Sequence, residues 1–244
     1  DLDLSLSLLQ EIKSIVIGNA NFNQGELNFF TSDLQPSVGS NPGELRVGIK
    51  GNPSFGNIRL LMLGVKNTGN TNASGEVWFN ELRLSDLKNQ GGWAAVVNMD
   101  TNFADFANIS ATGRRSTIGF GSIEQGPNQR SREDLKQYDV ATNFNMGQLL
   151  PKTWGVNVPL SYSRGEELIT PQYDPEYLDL ELETLLDNTE DQSRRDELQE
   201  RAEDYTRRQS VSVIGLRKER VAQQNQEERK PMPYDVENFA FSGT

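Results

Sequence analysis

The 244-residue chain contains no cysteine and no histidine, and these absences limit its chemistry. Without histidine it cannot form a Ser-His-Asp or Cys-His catalytic set, and it lacks the usual zinc ligand. Glu76 and Glu81 are the one close carboxylate pair in a predicted strand, and their odd spacing places them on opposite faces, while residues 19–26 resemble a calcium loop only loosely. We therefore predict that the chain is not an enzyme and has no catalytic, cofactor-binding or metal-binding residues. Absent cysteine fits an outer-envelope protein that forms no disulfides, although many cytosolic domains also lack cysteine.

Basic clusters and long apolar runs are missing too. The net charge is −11, and no Lys/Arg cluster with interleaved aromatic residues occurs, so nucleic acid is not an expected partner. No apolar run approaches the roughly 20 residues that a membrane-spanning helix needs. The mean hydropathy of −0.63 remains compatible with a transmembrane β-barrel, because barrel strands alternate between apolar and polar residues.

What the sequence does contain is alternation, most clearly in KTWGVNVPLSYS from Lys152 to Ser163. Every second residue is apolar, and in a strand such residues share one face. In a transmembrane barrel that face contacts lipid, and aromatic residues mark the membrane interfaces. The predicted lipid-facing residues are Val156, Val158 and Leu160, and the predicted interface anchors are Trp93, Trp154 and Tyr162. Because Pro159 has no N–H to donate, a bulge or an unpaired position is expected there.

Further strands are predicted at residues 93–102, 109–120, 138–149 and 208–218. Their connections alternate between short and long, as the turns and loops of bacterial barrels do, except that the connection after Lys218 is long where a short one is expected. A strand of a soluble sandwich alternates equally well, so the distinction depends on what covers the apolar face.

Residues 1–90 are predicted to form a separate antiparallel β-sandwich resembling a jelly roll. The chain opens within the alternating run DLDLSLSLL, and its clearest later strands are 45–50, 57–67 and 75–84. The segment 85–92 reads as a linker to the second domain, residues 91–244. The core candidates of the sandwich are Leu61, Leu63, Val65, Trp78, Leu82 and Leu84.

A helical insertion is predicted at 164–207 inside the second domain. Leucines from Leu178 to Leu186 follow helical spacing, and a second helix is expected to start at Thr189, with Gln192 completing a capping box. Residues 176–208 contain 12 acidic and 5 basic residues, so this segment is expected to be a solvated helical hairpin in a loop.

Four segments carry a family resemblance: GEVWFNELRLSDL (75–87), GGWAAVVNMDTNFADFANISATGRR (91–115), LPKTWGVNVPLSYS (150–163) and TPQYDPEYLDLEL (170–182). Together they resemble the SprA/Sov family of gliding-motility-associated outer-membrane translocons of the type IX secretion system. The resemblance implies a very large single-chain barrel in the outer membrane, through which folded cargo proteins leave the periplasm. It also implies other secretion-system proteins, exported cargo and outer-membrane lipid as partners.

The predicted fold class is thus mainly β, with a sandwich followed by antiparallel transmembrane barrel strands and a helical loop insertion. The chain begins without Met and ends within an apparent strand, so we interpret it as a fragment whose targeting sequence lies upstream. Two other functions remain open at this point, a secreted carbohydrate-binding β-sandwich module and a surface adhesin.

Overall fold

A computed structural model describes residues 4–35, 45–81, 83, 85, 88–220 and 232–244. The chain divides into two compact units. The first unit comprises Asp1–Gly91, Ile123–Arg132 and Pro171–Ala202, and the second comprises Gly92–Ser122, Glu133–Thr170 and Glu203–Thr244. One boundary therefore lies between Gly91 and Gly92, and part of the predicted insertion belongs to the first unit.

The first unit begins with helix α1 (Leu6–Gly18), where the sequence alternation predicted a strand. That prediction is wrong, because Leu8, Ile12 and Val16 also recur at the four-residue spacing that places side chains on one helix face. Ser5 caps the helix by accepting a hydrogen bond from the Leu8 N–H at 3.4 Å. The buried face of α1 packs on the hairpin β1 (Asn28–Thr31) and β2 (Arg46–Ile49), with Ile12, Val16, Phe30 and Ile49 forming the core.

The predicted sandwich does not form in the described part of residues 1–90. Strand β2 confirms the predicted strand at 45–50, but β1 and β2 form a single two-stranded sheet, and the described residues of 57–67 and 75–84 are not in strands. The predicted core residues Leu61, Leu63 and Val65 are exposed, and Trp78 is 86% exposed, while Leu82 and Leu84 lie outside the described residues. Alternation sets the two faces of a strand but supplies no partner strand, and the described residues of these segments pair with none.

Helices α2 (Leu182–Asp187) and α3 (Gln192–Ala202) complete the first unit. Leu180, Leu185 and Leu198 pack with Ile17 of α1 in a second buried cluster, so the predicted solvated hairpin is instead part of a core. Helix α3 begins at Gln192 and not at Thr189, whose buried hydroxyl donates to the Leu185 carbonyl at 2.7 Å. Within the described ranges, no helix is long and apolar enough to cross a membrane.

The second unit is a seven-stranded sheet in the order β3-β4-β5-β7-β8-β6, with β9 also paired to β8. Its strands are β3 (Ala94–Phe103), β4 (Ala107–Ser116), β5 (Glu133–Asn145), β6 (Val156–Asn157), β7 (Pro159–Pro171), β8 (Asp204–Lys218) and β9 (Ala240–Gly243). The strands predicted from 93, 109, 138 and 208 correspond to β3, β4, β5 and β8. The described strands form an open sheet, so the transmembrane barrel stays a prediction.

Several predicted bounds are wrong in this unit. Strand β4 ends at Ser116 and not at 120, and β5 runs from Glu133 to Asn145 and not from 138 to 149. Residues 152–163 do not form one strand, because 152–154 form a 3-10 helix that ends at Gly155 with φ +60°, and pairing is interrupted between β6 and β7 at Val158. This interruption directly precedes Pro159, where an irregularity was expected. The insertion is also shorter than 164–207, because β7 continues to Pro171 and β8 already starts at Asp204.

Candidate functional site

The sheet of the second unit separates apolar from polar side chains. Strand register places Val97 opposite Gly113 and Met99 opposite Ala111, and β5 adds Tyr138 and Val140 beside these two β4 residues. Because directly paired residues point to the same side of a sheet, these side chains share one face. Strands β3, β4 and β5 therefore present one continuous apolar surface.

The same surface continues onto β7 and β8. Thr142 lies on this side of β5, and its hydroxyl donates to the Tyr162 carbonyl at 3.2 Å. Tyr162 is paired with Val211, and Leu160 with Val213. We call this side the apolar face; it carries Ala95, Val97, Met99, Phe103, Ala107, Ile109, Ala111, Tyr138, Val140, Phe144, Leu160, Tyr162, Leu168, Tyr205, Val211 and Val213.

The opposite side, which we call the polar face, carries mainly hydroxyl, amide and charged side chains, with apolar exceptions such as Val96, Leu135, Ala141 and Ile169. It carries Asn98, Asp100, Asn102, Asn108, Ser110, Thr112, Asp139, Asn143, Ser161, Ser163, Ser210 and Ser212. Side-chain hydrogen bonds cross the strands here: the Ser161 hydroxyl donates to Asn143 Oδ1 at 2.7 Å, and the Ser163 and Ser210 hydroxyls are 2.7 Å apart. The polar face is therefore suited to contact with water.

Large side chains of the apolar face are exposed. Val97 is 67% exposed and Met99 51%, and Val211 in the middle of β8 is also exposed. Among the described residues of this unit, Ala107 is the one buried apolar side chain. A contiguous exposed apolar patch on this scale marks a protein or membrane contact surface.

One end of the apolar face carries charge. Arg164 Nη2 lies 2.5 Å from Glu166 Oε1, and Arg207 Nε lies 3.6 Å from the same oxygen. Tyr138 and Glu166 both line the same open cavity, which has a volume of about 480 Å³. Arg115 and Lys136 are opposite each other on the neighbouring strands β4 and β5. These residues, Arg115, Lys136, Arg164, Glu166 and Arg207, form what we call the charged end, beside this cavity.

The sequence-predicted site residues are spread over this surface and its edges. Leu160 and Tyr162 lie on the apolar face, and Trp93 lines the cavity with its ring 5.3 Å from the Arg115 guanidinium. Val156 lies in the short strand β6 and Val158 at the interruption that follows it, whereas exposed Trp154 lies in the 3-10 helix. Lipid contact at Val156, Val158 and Leu160, and the interface role of Trp93, Trp154 and Tyr162, stay predictions.

The sequence analysis did not predict the charged end, because Arg164, Glu166 and Arg207 were assigned to the insertion and the pairing of Arg115 with Lys136 depends on the register of β4 and β5. A signal for it exists, since SRGEELIT continues the alternation of β7 with Arg164, Glu166 and Leu168 at every second position. Charges of opposite sign on paired strands, such as Glu166 and Arg207, support strand pairing.

A family model described as motility related/secretion protein, SprA_N, matches residues 3–186 of the 244. The chain belongs to this family. The resemblance to the SprA/Sov family is thereby confirmed, and the chain is a motility- and secretion-related protein. No curated protein matches the chain.

Proposed function

We propose that this SprA-family chain forms part of a protein-translocation channel in the outer membrane, which exports folded proteins in type IX secretion and gliding motility. In this proposal the apolar face contacts outer-membrane lipid, and the polar face lines a hydrated lumen. Other secretion-system proteins and the exported cargo are its partners, and the first unit lies outside the membrane. The observation that carries the proposal is the exposed apolar face, which extends over five strands and has a polar face behind it.

Strand length supports a membrane location for this surface. Strands β3 and β4 contain ten residues each, and a transmembrane strand tilted by about 45° needs about 9–11 residues. Along β3 this face runs from Ala95 to Phe103 with Thr101 as its polar member, which is about 27 Å along the strand at about 3.4 Å per residue. At a tilt of about 45° this corresponds to about 19 Å of membrane depth, which fits within an outward apolar band about 25 Å tall. Aromatic residues stand near both ends of this strand, Trp93 at one end and Phe103 at the other, as they do at membrane interfaces.

The polar face suits the passage of folded proteins better than the binding of one ligand. Most of its side chains are hydroxyl, amide and charged groups that water satisfies, and several already hydrogen-bond one another across strands. Such a wall presents few apolar contacts on which a passing protein could be retained.

Single-cysteine labelling tests the proposal, because the chain has no cysteine of its own. Met99→Cys and Asn98→Cys are neighbours on β3 that are both exposed and point to opposite faces. With a bimane label and the protein reconstituted in liposomes, we expect brominated lipid to quench the label at 99 and aqueous iodide to quench the label at 98. Iodide access at both positions, or shielding of position 99 from lipid, would contradict the proposal.

A further inference from the structure

Two cations face each other at the charged end without an anion. Register pairs Arg115 with Lys136 directly across β4 and β5, on the apolar face, and both side chains are exposed. Within the described ranges neither residue forms an ion pair with a carboxylate. Like charges in directly opposed positions destabilise a sheet, so a bound anion would relieve this pair.

The surroundings of the pair add to the positive charge. Arg164 and Arg207 share the single carboxylate of Glu166, so the charged end holds four cations and one anion. The whole chain has a net charge of −11, so the excess positive charge at the charged end is opposite in sign to the charge of the chain. The site is thus complementary to a group with more than one negative oxygen, such as a phosphate.

Apolar side chains line much of the rest of the cavity. They are Ala95, Val97, Tyr138, Leu168 and Tyr205, and Trp93 lies against Arg115. Arg114, Gln137 and Glu167 complete the lining, so cations still outnumber carboxylates around the cavity. Gly113 lies between Val97 and Tyr138 in the register, and a Cβ added there would meet no atom within 4 Å. The absence of a side chain at Gly113 therefore leaves room beside the cations for an apolar group.

We propose that this cavity binds an anionic membrane lipid, with its phosphate between Arg115 and Lys136 and an acyl chain along Val97, Tyr138 and Leu168. The inference rests on the proposed function, because the apolar face must contact lipid for the cavity to meet one. A small soluble anion would use the two cations alone, whereas the apolar lining beside them fits a lipid that carries both groups.

The test uses Trp93 as a reporter in the full-length protein in nanodiscs, where the Trp93 signal is the part of the fluorescence lost in Trp93→Phe. Brominated phosphatidic acid and brominated phosphatidylcholine with identical acyl chains are compared as quenchers. We expect half-maximal quenching of Trp93 at a lower mole fraction of phosphatidic acid. Arg115→Gln and Lys136→Gln should each reduce this preference about fivefold.

Two further variants test whether the preference for phosphatidic acid comes from this cavity. Arg208→Gln removes an exposed cation from the opposite face of β8 and should leave the preference unchanged. Gly113→Val fills the cavity while keeping both cations and should lower the preference. An equal loss in Arg208→Gln, no change in Gly113→Val, or competition by inorganic phosphate would overturn the inference. Equal quenching by the two lipids would overturn it and leave the proposed function standing, whereas no quenching by either lipid would overturn both.

Discussion

The two units of the chain place their apolar residues in opposite ways. Among the described residues, ten of the eleven buried apolar side chains belong to the first unit, and Ala107 alone belongs to the second. The second unit nevertheless has large apolar side chains in every long strand, and it holds them on one exposed face. The first unit therefore buries its apolar surface within itself, and the second leaves its apolar surface to its surroundings.

The two units are therefore stabilised by different interactions. Burying a Val, Leu, Ile or Phe side chain contributes about 1.5–3 kcal/mol, so residues such as Ile12, Phe30 and Leu185 stabilise the first unit in water. In the second unit the inner strands of the sheet pair their backbone groups, but Val97 and Met99 gain this contribution only when lipid or another protein covers them. If the apolar face contacts lipid as proposed, the stability of the sheet should depend on lipid, and that of the helical core should not.

Charged groups follow the same division. In the first unit the Lys13 ammonium is 1% exposed and lies 2.7 Å from Asp179 Oδ1, with the carboxylate 6% exposed. Asp179 Oδ2 also accepts the Phe55 N–H at 2.9 Å, and Lys13 lies 5.9 Å from the Phe55 ring centroid. The pair joins α1 to the segment before α2, whereas the cations of the charged end in the second unit stay exposed.

The largest expected effect comes from Lys13→Met in the first unit. The change leaves the Asp179 carboxylate buried without its cation, which costs about 3–5 kcal/mol of unfolding free energy. Hydrogen exchange of the α1 amides, followed through a urea titration, measures this loss in the intact chain. Lys88→Met is the control, because its exposed ion pair with Glu181 contributes about 1 kcal/mol or less. Equal losses in the two variants would show that the buried pair is not what joins α1 to the segment at Asp179.

A smaller effect is expected from Met99→Arg in the second unit, and it should appear in lipid. A charge on the lipid side of a barrel strand costs about 2–4 kcal/mol near the bilayer midplane. Asn98→Arg, on the polar face of the same strand, should cost far less. The comparison is made by urea unfolding in liposomes, and equal tolerance at 98 and 99 would remove the distinction between the two faces.

The sequence predicts the sheet well because alternation directly encodes its two faces. In β3, Val97 and Met99 alternate with Asn98 and Asp100, and the same period identifies β4 and β5. The interruption at Val158 follows from the missing N–H of Pro159. These features are local, and a single strand is enough to show them.

Features that depend on distant partners were not predictable in the same way. The α1 segment has strand alternation at Leu2, Leu4 and Leu6 and helical spacing from Leu8 onward, and the packing of Ile17 on Leu180 and Leu185 decides for the helix. Residues 57–67 have a strand pattern but no partner among the described residues. The charged end requires the register that sets Glu166 opposite Arg207, which neither segment reveals alone.

The smallest expected effect is the pH dependence of the first unit. Burial raises the pKa of Asp179, but the hydrogen bonds from the Lys13 ammonium and the Phe55 N–H outweigh it, so the pKa lies below its ordinary value of 3.8. Because the folded pKa is the lower one, Asp179 contributes full stability above pH 3.8 and loses it as the pH falls through the folded pKa. Hydrogen exchange at decreasing pH, corrected for intrinsic exchange rates, should show α1 losing protection before β3.

The control is Asp179→Asn, which keeps an acceptor for the Phe55 N–H but does not titrate. In that variant α1 should be less protected at neutral pH, and its protection should fall less on acidification. If the loss of α1 protection at low pH is the same in Asp179→Asn as in the wild type, other carboxylates cause it and Asp179 does not.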